Sequence, residues 1–171
     1  MKITAQEEYG LRCLLRLAKA ETGSVTLPEV AAAEGLSVPY VAKLMSVLRT
    51  AGLIDSVRGR SGGYRFAKPP EQIGLGSLLS VLGEPLFEEE GYCQKHAGTE
   101  ALNGVCTNRG GCTLKSLWQT LELWMRRTLD QITLADLLEH EGRIDELLRE
   151  RLATAVFDEA PPLVTLNVLT K

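Results

Sequence analysis

The apolar residues of the first fifty positions recur at the spacing of helices rather than of strands. Leu11, Leu14 and Leu15 share one helical face, and Val41 and Leu44 belong to another. Each apolar run follows a hydroxyl residue that can cap a helix, and two of these hydroxyl residues precede a glutamate by three positions, as in a capping box. The predicted helices start at Thr4, Thr26 and Ser37 and end near Gly23, Gly35 and Gly52.

A hairpin is predicted directly after the third helix. Residues 52–57 and 64–67 are short segments rich in β-branched or aromatic side chains, which favours strands. Between them, Gly59 and the pair at 62–63 permit the positive φ of a tight reversal. A short helix, a glycine-containing turn, a capped helix and a hairpin together predict a winged helix-turn-helix.

Positive charge is concentrated on the third helix and the hairpin. The chain carries a net charge of −3, yet residues 1–75 hold ten Lys or Arg against seven Asp or Glu. From Lys43 to Lys68 there are six cations and one acidic residue, Asp55. Any one of these cations could belong to an ordinary solvated surface, but the group is typical of a face that binds DNA phosphates.

A long amphipathic helix is predicted to start at Thr113. Its apolar positions recur every three or four residues: Leu114, Leu117, Trp118, Leu121, Trp124, Met125, Leu129 and Ile132. Two tryptophans on one stripe are more than a small winged domain needs for its own core, so a dimerisation helix is favoured over packing within one chain. Residues 140–157 predict one more helix, and the segment 139–171 has no assigned role.

Three of the four cysteines lie in a glycine-rich segment, 84–112, in which no helix or strand is predicted. Cys93, Cys106 and Cys112 follow a C-x12-C-x5-C spacing, and His96 comes three positions after the first of them. Thiolates on such a segment can converge on one metal centre. The spacing alone favours zinc, for which Cys3His is a common ligand set, while an iron-sulfur cluster, a regulatory disulfide and inert thiols remain alternatives.

The remaining features exclude several classes of protein. Cys13 lies among the leucines of the first helix and is expected to be a small buried hydrophobe. Four cysteines without a signal peptide predict a cytoplasmic protein, and no stretch approaches the roughly 18 apolar residues of a membrane span. The absence of a phosphate-binding loop, an H-E-x-x-H motif and a C-x-x-C motif argues against an enzyme, and no small-molecule substrate is evident. A thiol-redox or electron-transfer protein is the strongest hypothesis from another class.

Several motifs resemble the Rrf2 family of bacterial transcription regulators. They are residues 8–12, 37–41, 48–54, 56–59 with 62–64, and 73–75, the three clustered cysteines, Trp118, and residues 132–137. The resemblance implies a mainly α fold with a small β-hairpin. It assigns 1–83 to a winged helix-turn-helix domain, 84–112 to a cysteine-bearing sensor segment, and 113–138 to a dimerisation helix with a following short helix.

The same resemblance implies which residues contact DNA. Ser37, Pro39, Tyr40 and Lys43 would face the major groove or its flanking phosphates, while Arg58, Arg60 and Ser61, with Gly62 and Gly63 in the same loop, would approach the minor groove. Arg49 is expected to be either a solvated arginine or a phosphate contact. Ala42 departs from the pattern, since some members of the family carry a longer polar or acidic side chain there that helps to choose bases.

A cofactor is also implied by the resemblance. Cys93, Cys106 and Cys112 would hold an iron-sulfur cluster, expected to be [2Fe-2S], with [4Fe-4S] or zinc as the alternatives. Assembly regulators of this family place a histidine three residues after the last cysteine, where this chain has Lys115. Nitric-oxide-sensing members instead use a carboxylate from the other subunit, which corresponds to Glu8, and His96 offers a second choice of fourth ligand.

The function implied by the resemblance is that of a homodimer that binds double-stranded DNA at a pseudo-palindromic operator. As a repressor, it would release the operator when nitric oxide, an oxidant or iron shortage alters the cluster. A metal-free or zinc-binding regulator of the same family, switched by thiol oxidation or by a protein partner, is the alternative.

Overall fold

The computed structural model describes residues 3–59, 62–97, 106, 112–139, 145–147 and 149–150. The N-terminal part contains α1 (Ala5–Ala18), α2 (Leu27–Glu34), α3 (Val38–Thr50), β1 (Ile54–Val57), β2 (Gly63–Phe66) and α4 (Leu75–Leu82). The C-terminal part contains α5 (Tyr92–Lys95), α6 (Thr113–Asp130) and α7 (Leu134–Glu139). The predicted fold class, mainly α with a small β-hairpin, is confirmed.

The first three helices begin where the sequence predicts. Thr4 and Thr26 accept hydrogen bonds from the backbone N–H groups of Glu7 and Glu29, whose side chains accept in turn from the two threonine N–H groups. Gly35 ends α2 in the left-handed conformation, at a φ of 65°.

Helix α1 ends at Ala18, five residues before the predicted end at Gly23. The chain turns early because Val25 pairs with the hairpin. Its N–H donates to the Tyr64 carbonyl oxygen at 3.0 Å, and its carbonyl oxygen accepts from Tyr64 N–H at 2.8 Å. The hairpin therefore gains a third, one-residue partner on the side of the helices.

One hydrophobic core joins α1, α2, α3, the hairpin, α4 and α7. Leu14, Leu44, Leu48 and Leu78 are fully buried in it. Helix α7 closes the core through backbone pairing, because Leu134 N–H donates to the Ile73 carbonyl oxygen at 2.9 Å. Helix α6 packs mainly against α4, so it is attached to the winged domain from outside the core.

Cys13 is part of this core, as predicted, and has no solvent exposure. Burial raises the pKa of its thiol from 9.0 to about 11, assisted by the nearby Glu34 carboxylate and opposed by Arg12. The folded protein therefore favours the neutral thiol. The contribution of the neutral Cys13 thiol to the free energy of unfolding is fully present below pH 9 and is lost as the pH rises through about 11.

We expect the free energy of unfolding of the wild-type protein to fall more steeply than that of Cys13→Ala between pH 9 and pH 11. The expected difference is roughly 2 to 3 kcal/mol, since each pH unit between the two pKa values is worth about 1.4 kcal/mol. Denaturant titrations of both proteins at pH 8, 9, 10 and 11 measure it. All other titrating groups are common to both chains, so parallel curves would contradict the prediction.

Candidate nucleic-acid interface and cysteine segment

Helix α3 is divided into a buried and an exposed face. Val41, Leu44, Met45 and Leu48 have no solvent exposure. The opposite side carries exposed residues from the first turn to the last: Ser37, Pro39, Lys43, Ser46, Arg49 and Thr50. The sequence analysis missed Ser46 and Thr50, although both follow Lys43 at helical spacing, three and seven positions later. This exposed face has the chemistry expected of a helix that enters a DNA groove.

Ser37 occupies the position before α3, as predicted, but its side chain makes no capping hydrogen bond. The helix starts with proline in its first turn instead, where the missing N–H costs nothing. The Ser37 hydroxyl is exposed and is therefore available to an external acceptor such as a phosphate or a base edge.

Tyr40 is only half-exposed, because its ring packs edge-on against Tyr9 with ring centroids 6.0 Å apart. The Arg12 guanidinium lies over the same Tyr9 ring at 5.3 Å and donates to the Glu34 carboxylate at 2.7 Å. This hydrogen bond raises the pKa of Arg12. The first turn of α3 is thus braced against α1 and the end of α2.

The hairpin pairs Ile54 with Phe66 and Val57 with Gly63 in an antiparallel register. Gly59 has a φ of 118°, which only glycine adopts without strain. A Cβ on Gly62 would lie 2.6 Å from the Val57 carbonyl oxygen, and one on Gly63 would lie 2.6 Å from the Val25 carbonyl oxygen. These glycines let the backbone close the wing, so they shape the loop that carries the arginines.

Cations surround α3 and the hairpin of β1 and β2, which forms the wing. Lys43, Arg49, Arg58, Arg65 and Lys68 are all exposed. Arg65 lies directly opposite Asp55 in the hairpin register. Arg60 and Ser61, predicted from the sequence to reach the minor groove, lie outside the described residues.

The cysteine segment contains one helical turn, α5, which the sequence analysis did not predict. Cys93 lies on this turn and is exposed, while Cys106 and Cys112 are half-buried, and none of the four cysteines of the chain is in a disulfide. Cys112 caps α6, because its sulfur accepts from Lys115 N–H at 3.5 Å.

Lys115 links the cysteine segment to the start of α6. Its ammonium donates to the Glu89 carboxylate at 2.8 Å. This hydrogen bond raises the pKa of Lys115, and the charges of Glu89, Cys93 and Cys112 raise it further. Two of the three clustered cysteines therefore lie close enough to the same cation to act on it electrostatically.

The two candidates for a fourth ligand are both exposed. Glu8 lies in the first turn of α1. The Nδ1 atom of His96 lies 2.9 Å from the Tyr92 carbonyl oxygen, and in the tautomer that donates through Nδ1 the Nε2 atom is free to bind a metal. Within the part of the chain that the structure describes, no group of three or more His, Cys, Asp or Glu side chains is arranged to hold a metal ion.

A buried carboxylate fixes the beginning of the cysteine segment to the middle of α6. Glu122 is only 7% exposed. Its carboxylate accepts from the Leu86 backbone N–H at 2.9 Å and pairs with Arg126 one turn later on the same helix. The segment is thus attached to α6 at two described points, through Glu122 and through Lys115.

Helix α6 turns most of its apolar stripe away from the rest of the chain. Leu114, Leu117, Trp118, Leu121 and Trp124 are exposed, whereas the buried residues of this helix are Glu122 and Thr128. Beside it, α1, α4 and α6 border a groove of about 900 Å³ that is lined by Glu8, Leu79, Met125 and Leu129 among others. The predicted amphipathic helix is present, and of its apolar stripe only Met125 and Leu129, in the C-terminal part, are half-buried within the chain.

A cationic wing attached to a helix-turn-helix, with a long helix behind it, defines a winged helix-turn-helix DNA-binding regulator. The sequence model of the Rrf2 family, described as an iron-dependent transcriptional regulator, matches residues 3–140, and the chain belongs to this family. Because its relatives are transcriptional regulators, the prediction of a DNA-binding protein rather than an enzyme is confirmed. None of the described helices is long and apolar enough to cross a membrane.

Similar proteins include regulators of several types. The chain is 32% identical over 146 residues to the transcriptional regulator IscR of Cereibacter sphaeroides, covering 84% of this chain and 90% of that protein. It is 36% identical over 152 residues to the transcriptional regulator NsrR of Geobacillus kaustophilus, covering 88% and 99%. Solved structures include IscR of T. potens, with a TM-score of 0.60, 33% identity and coverage of 83% and 89%. CymR, the global cysteine regulator of B. subtilis, gives a TM-score of 0.59, 31% identity and coverage of 81% and 97%.

Proposed function

We propose that this protein is a homodimeric repressor whose affinity for a pseudo-palindromic operator is controlled by an iron-sulfur cluster. The observation that carries the proposal is the attachment of the cysteine segment to α6. Glu122 and Lys115 hold that segment against a helix whose apolar face points outward. A change at the cysteines would therefore reach the surface by which two chains would associate.

The DNA-binding surface of each subunit would consist of α3 and the wing. Ser37, Pro39, Tyr40 and Lys43 would contact the major groove, and Arg58, with Arg60 and Ser61, would contact the minor groove or its phosphates. Exposure of Ser37, Lys43 and Arg58 supports this assignment. Two such surfaces related by a two-fold axis would bind half-sites roughly 34 Å apart, one turn of DNA.

Cys93, Cys106 and Cys112 would hold the cluster, with Glu8 of the partner subunit or His96 as the fourth ligand. The donor set fits such a group, because all three thiols are free of disulfides and cysteine sulfurs are the usual ligands of iron-sulfur clusters. When bound, a [2Fe-2S] or [4Fe-4S] cluster supplies iron that reacts with nitric oxide or oxidants and so reports on them.

The residues of the chain would convert that event into a change of DNA affinity. Cys112 caps α6, and Lys115 ties the first turn of this helix to Glu89. If the bonding of the Cys112 sulfur changes, the cap of α6 changes with it. Helix α6 is the helix that would form the dimer. The two recognition helices would then change their separation, and operator affinity would shift by the difference between the two states.

A metal-free or zinc-binding switch is the second candidate. It is favoured by the exposure of Cys93 on α5, because an exposed thiol is accessible to oxidants. In this version, oxidation of the thiols or zinc on Cys93, Cys106, Cys112 and His96 takes the place of the cluster, and the rest of the mechanism is unchanged.

The role of the wing is tested by Arg58→Ala. We expect the operator affinity of the dimer to fall by about tenfold or more, and the slope of log K against log salt to become smaller by about two, one for each subunit. Fluorescence anisotropy with a labelled operator at several salt concentrations measures both. Arg127→Ala, which removes an exposed cation from α6, is the matched control. An Arg58→Ala protein that binds like the control would contradict the assignment of the wing.

A further inference from the structure

The first two turns of α3 offer DNA few groups that can form hydrogen bonds. Five side chains there are exposed or half-exposed and free of ring contacts within the chain: Ser37, Val38, Pro39, Ala42 and Lys43. Tyr40, the remaining outward residue, is partly covered by Tyr9. Among these five side chains, only the Ser37 hydroxyl and the Lys43 ammonium can form a hydrogen bond, and the Tyr40 hydroxyl adds one further polar group. Val38, Pro39 and Ala42 make the rest of the surface that would enter the groove apolar.

Val38 is the unusual member of this group. It is 41% exposed, and among the described residues between 4 and 85 it is the only exposed large hydrophobic side chain. A single exposed valine on a protein surface needs no explanation by itself. This one lies in the turn of the recognition helix that also carries Ser37 and Pro39, both exposed.

Ala42 extends the apolar surface by one helical turn. It follows Val38 by four positions, so the two side chains lie on the same side of α3, and it is half-exposed. Exposed cations flank the pair, because Lys43 is adjacent and Arg49 lies two turns further on. Positive charge around an apolar patch fits DNA, whose phosphates would bind the cations and place the patch against the base edges.

The major groove contains one apolar group on its base edges, the C5-methyl group of thymine. We propose that Val38 and Ala42 contact a thymine methyl group in each half-site of the operator and thereby determine part of the base specificity. The proposal rests on the DNA-binding role of α3. Lys43 and Ser37 position the helix, and the apolar pair discriminates thymine from cytosine and from uracil.

The expected effect is set by the burial of one methyl group. Loss of a methyl contact lowers affinity by about fourfold per half-site, which corresponds to about 0.8 kcal/mol for one buried carbon group. The affinity for an operator with two equivalent half-sites should fall about fifteenfold when both methyl groups are removed. The effect should not depend on salt, because no phosphate contact is altered.

The test begins with selection of bound duplexes from a random pool by the full-length dimer. Each symmetric pair of thymines in the selected operator is then replaced by uracil, which lacks only the methyl group, and affinity is measured by fluorescence anisotropy at fixed salt. We expect one pair to show the fifteenfold loss. In Val38→Thr, which replaces a methyl by a hydroxyl at constant shape, and in Ala42→Ser, the loss at that pair should shrink to fourfold or less.

Ala51→Ser is the matched control, since Ala51 is an exposed alanine at the other end of α3, and it should keep the full uracil effect. If no thymine pair responds to uracil while the operator is still bound, the proposal is overturned and the DNA-binding function stands. An equal uracil effect in the wild type and both variants would also overturn it. If no duplex is enriched from the pool, the proposed function fails and this inference fails with it.

Discussion

Replacing Trp118 by glutamate is expected to convert the proposed dimer into a monomer and to lower operator affinity by at least a hundredfold. The Trp118 side chain lies on the outward apolar stripe of α6, where it is 38% exposed in the single chain. Burying a carboxylate without a partner in an apolar interface costs several kcal/mol. A monomer can bind only one half-site. It therefore loses the gain in operator affinity that comes from linking two winged domains in one dimer.

Sedimentation equilibrium measures the association state, and anisotropy measures operator affinity. Thr120→Glu provides the matched control, because it places the same charge at an exposed position of the same helix, outside the apolar stripe. Leu114→Glu, at an apolar position that is 56% exposed, is a second variant with little effect on the folding of the single chain. If Trp118→Glu and Leu114→Glu both remain dimeric, α6 is not the dimerisation helix.

The second large effect is expected from replacing Cys93, Cys106 and Cys112 together by serine. Protein purified without oxygen should lose all cluster absorption in the visible range, together with its iron and sulfide, because serine hydroxyls do not replace thiolates as ligands of such a cluster. Operator affinity should become insensitive to nitric oxide. Absorption spectra, metal and sulfide analysis and anisotropy before and after treatment measure these changes.

Cys13→Ala is the control for this experiment, because Cys13 is buried in the core. This substitution is expected to leave the cluster absorption and the response to nitric oxide unchanged. Glu8→Ala and His96→Ala separate the two candidate fourth ligands, since only the variant that removes the ligand should destabilise the cluster. A wild-type protein that contains one zinc per subunit and no iron would overturn the cluster in favour of the zinc alternative.

Helix α4 shows why part of the fold could not be predicted. It is eight residues long and mostly apolar, and no capping residue of its own precedes it. Its first turn is capped by Asp130, which lies 53 positions away on α6 and accepts from the Ser77 backbone N–H at 2.8 Å. A Cβ on Gly76 would overlap the Arg126 carbonyl oxygen. The signals that define this helix come from its neighbour.

The sequence by itself determined the winged helix-turn-helix and its family. Thr4, Thr26 and Gly35 act within one helical turn, and the wing glycines act within one hairpin, so each signal is visible over a few residues. The Rrf2-like motifs at 8–12, 37–41, 48–54 and 56–59 with 62–64 lie on these same elements. The clustering of three cysteines in one segment and the concentration of cations on the third helix and the hairpin were also evident from residue type and position.

Only the tertiary structure decided how α6 and the cysteine segment are arranged. The apolar stripe of α6 favoured a dimerisation helix over packing within one chain, but it did not predict that this helix would bury Glu122 while Trp118 stays exposed. Glu122 is buried because the Leu86 backbone N–H needs an acceptor and Arg126 compensates the charge. These partners are 36 and four positions away, and periodicity along one helix carries no information about which face another segment will cover.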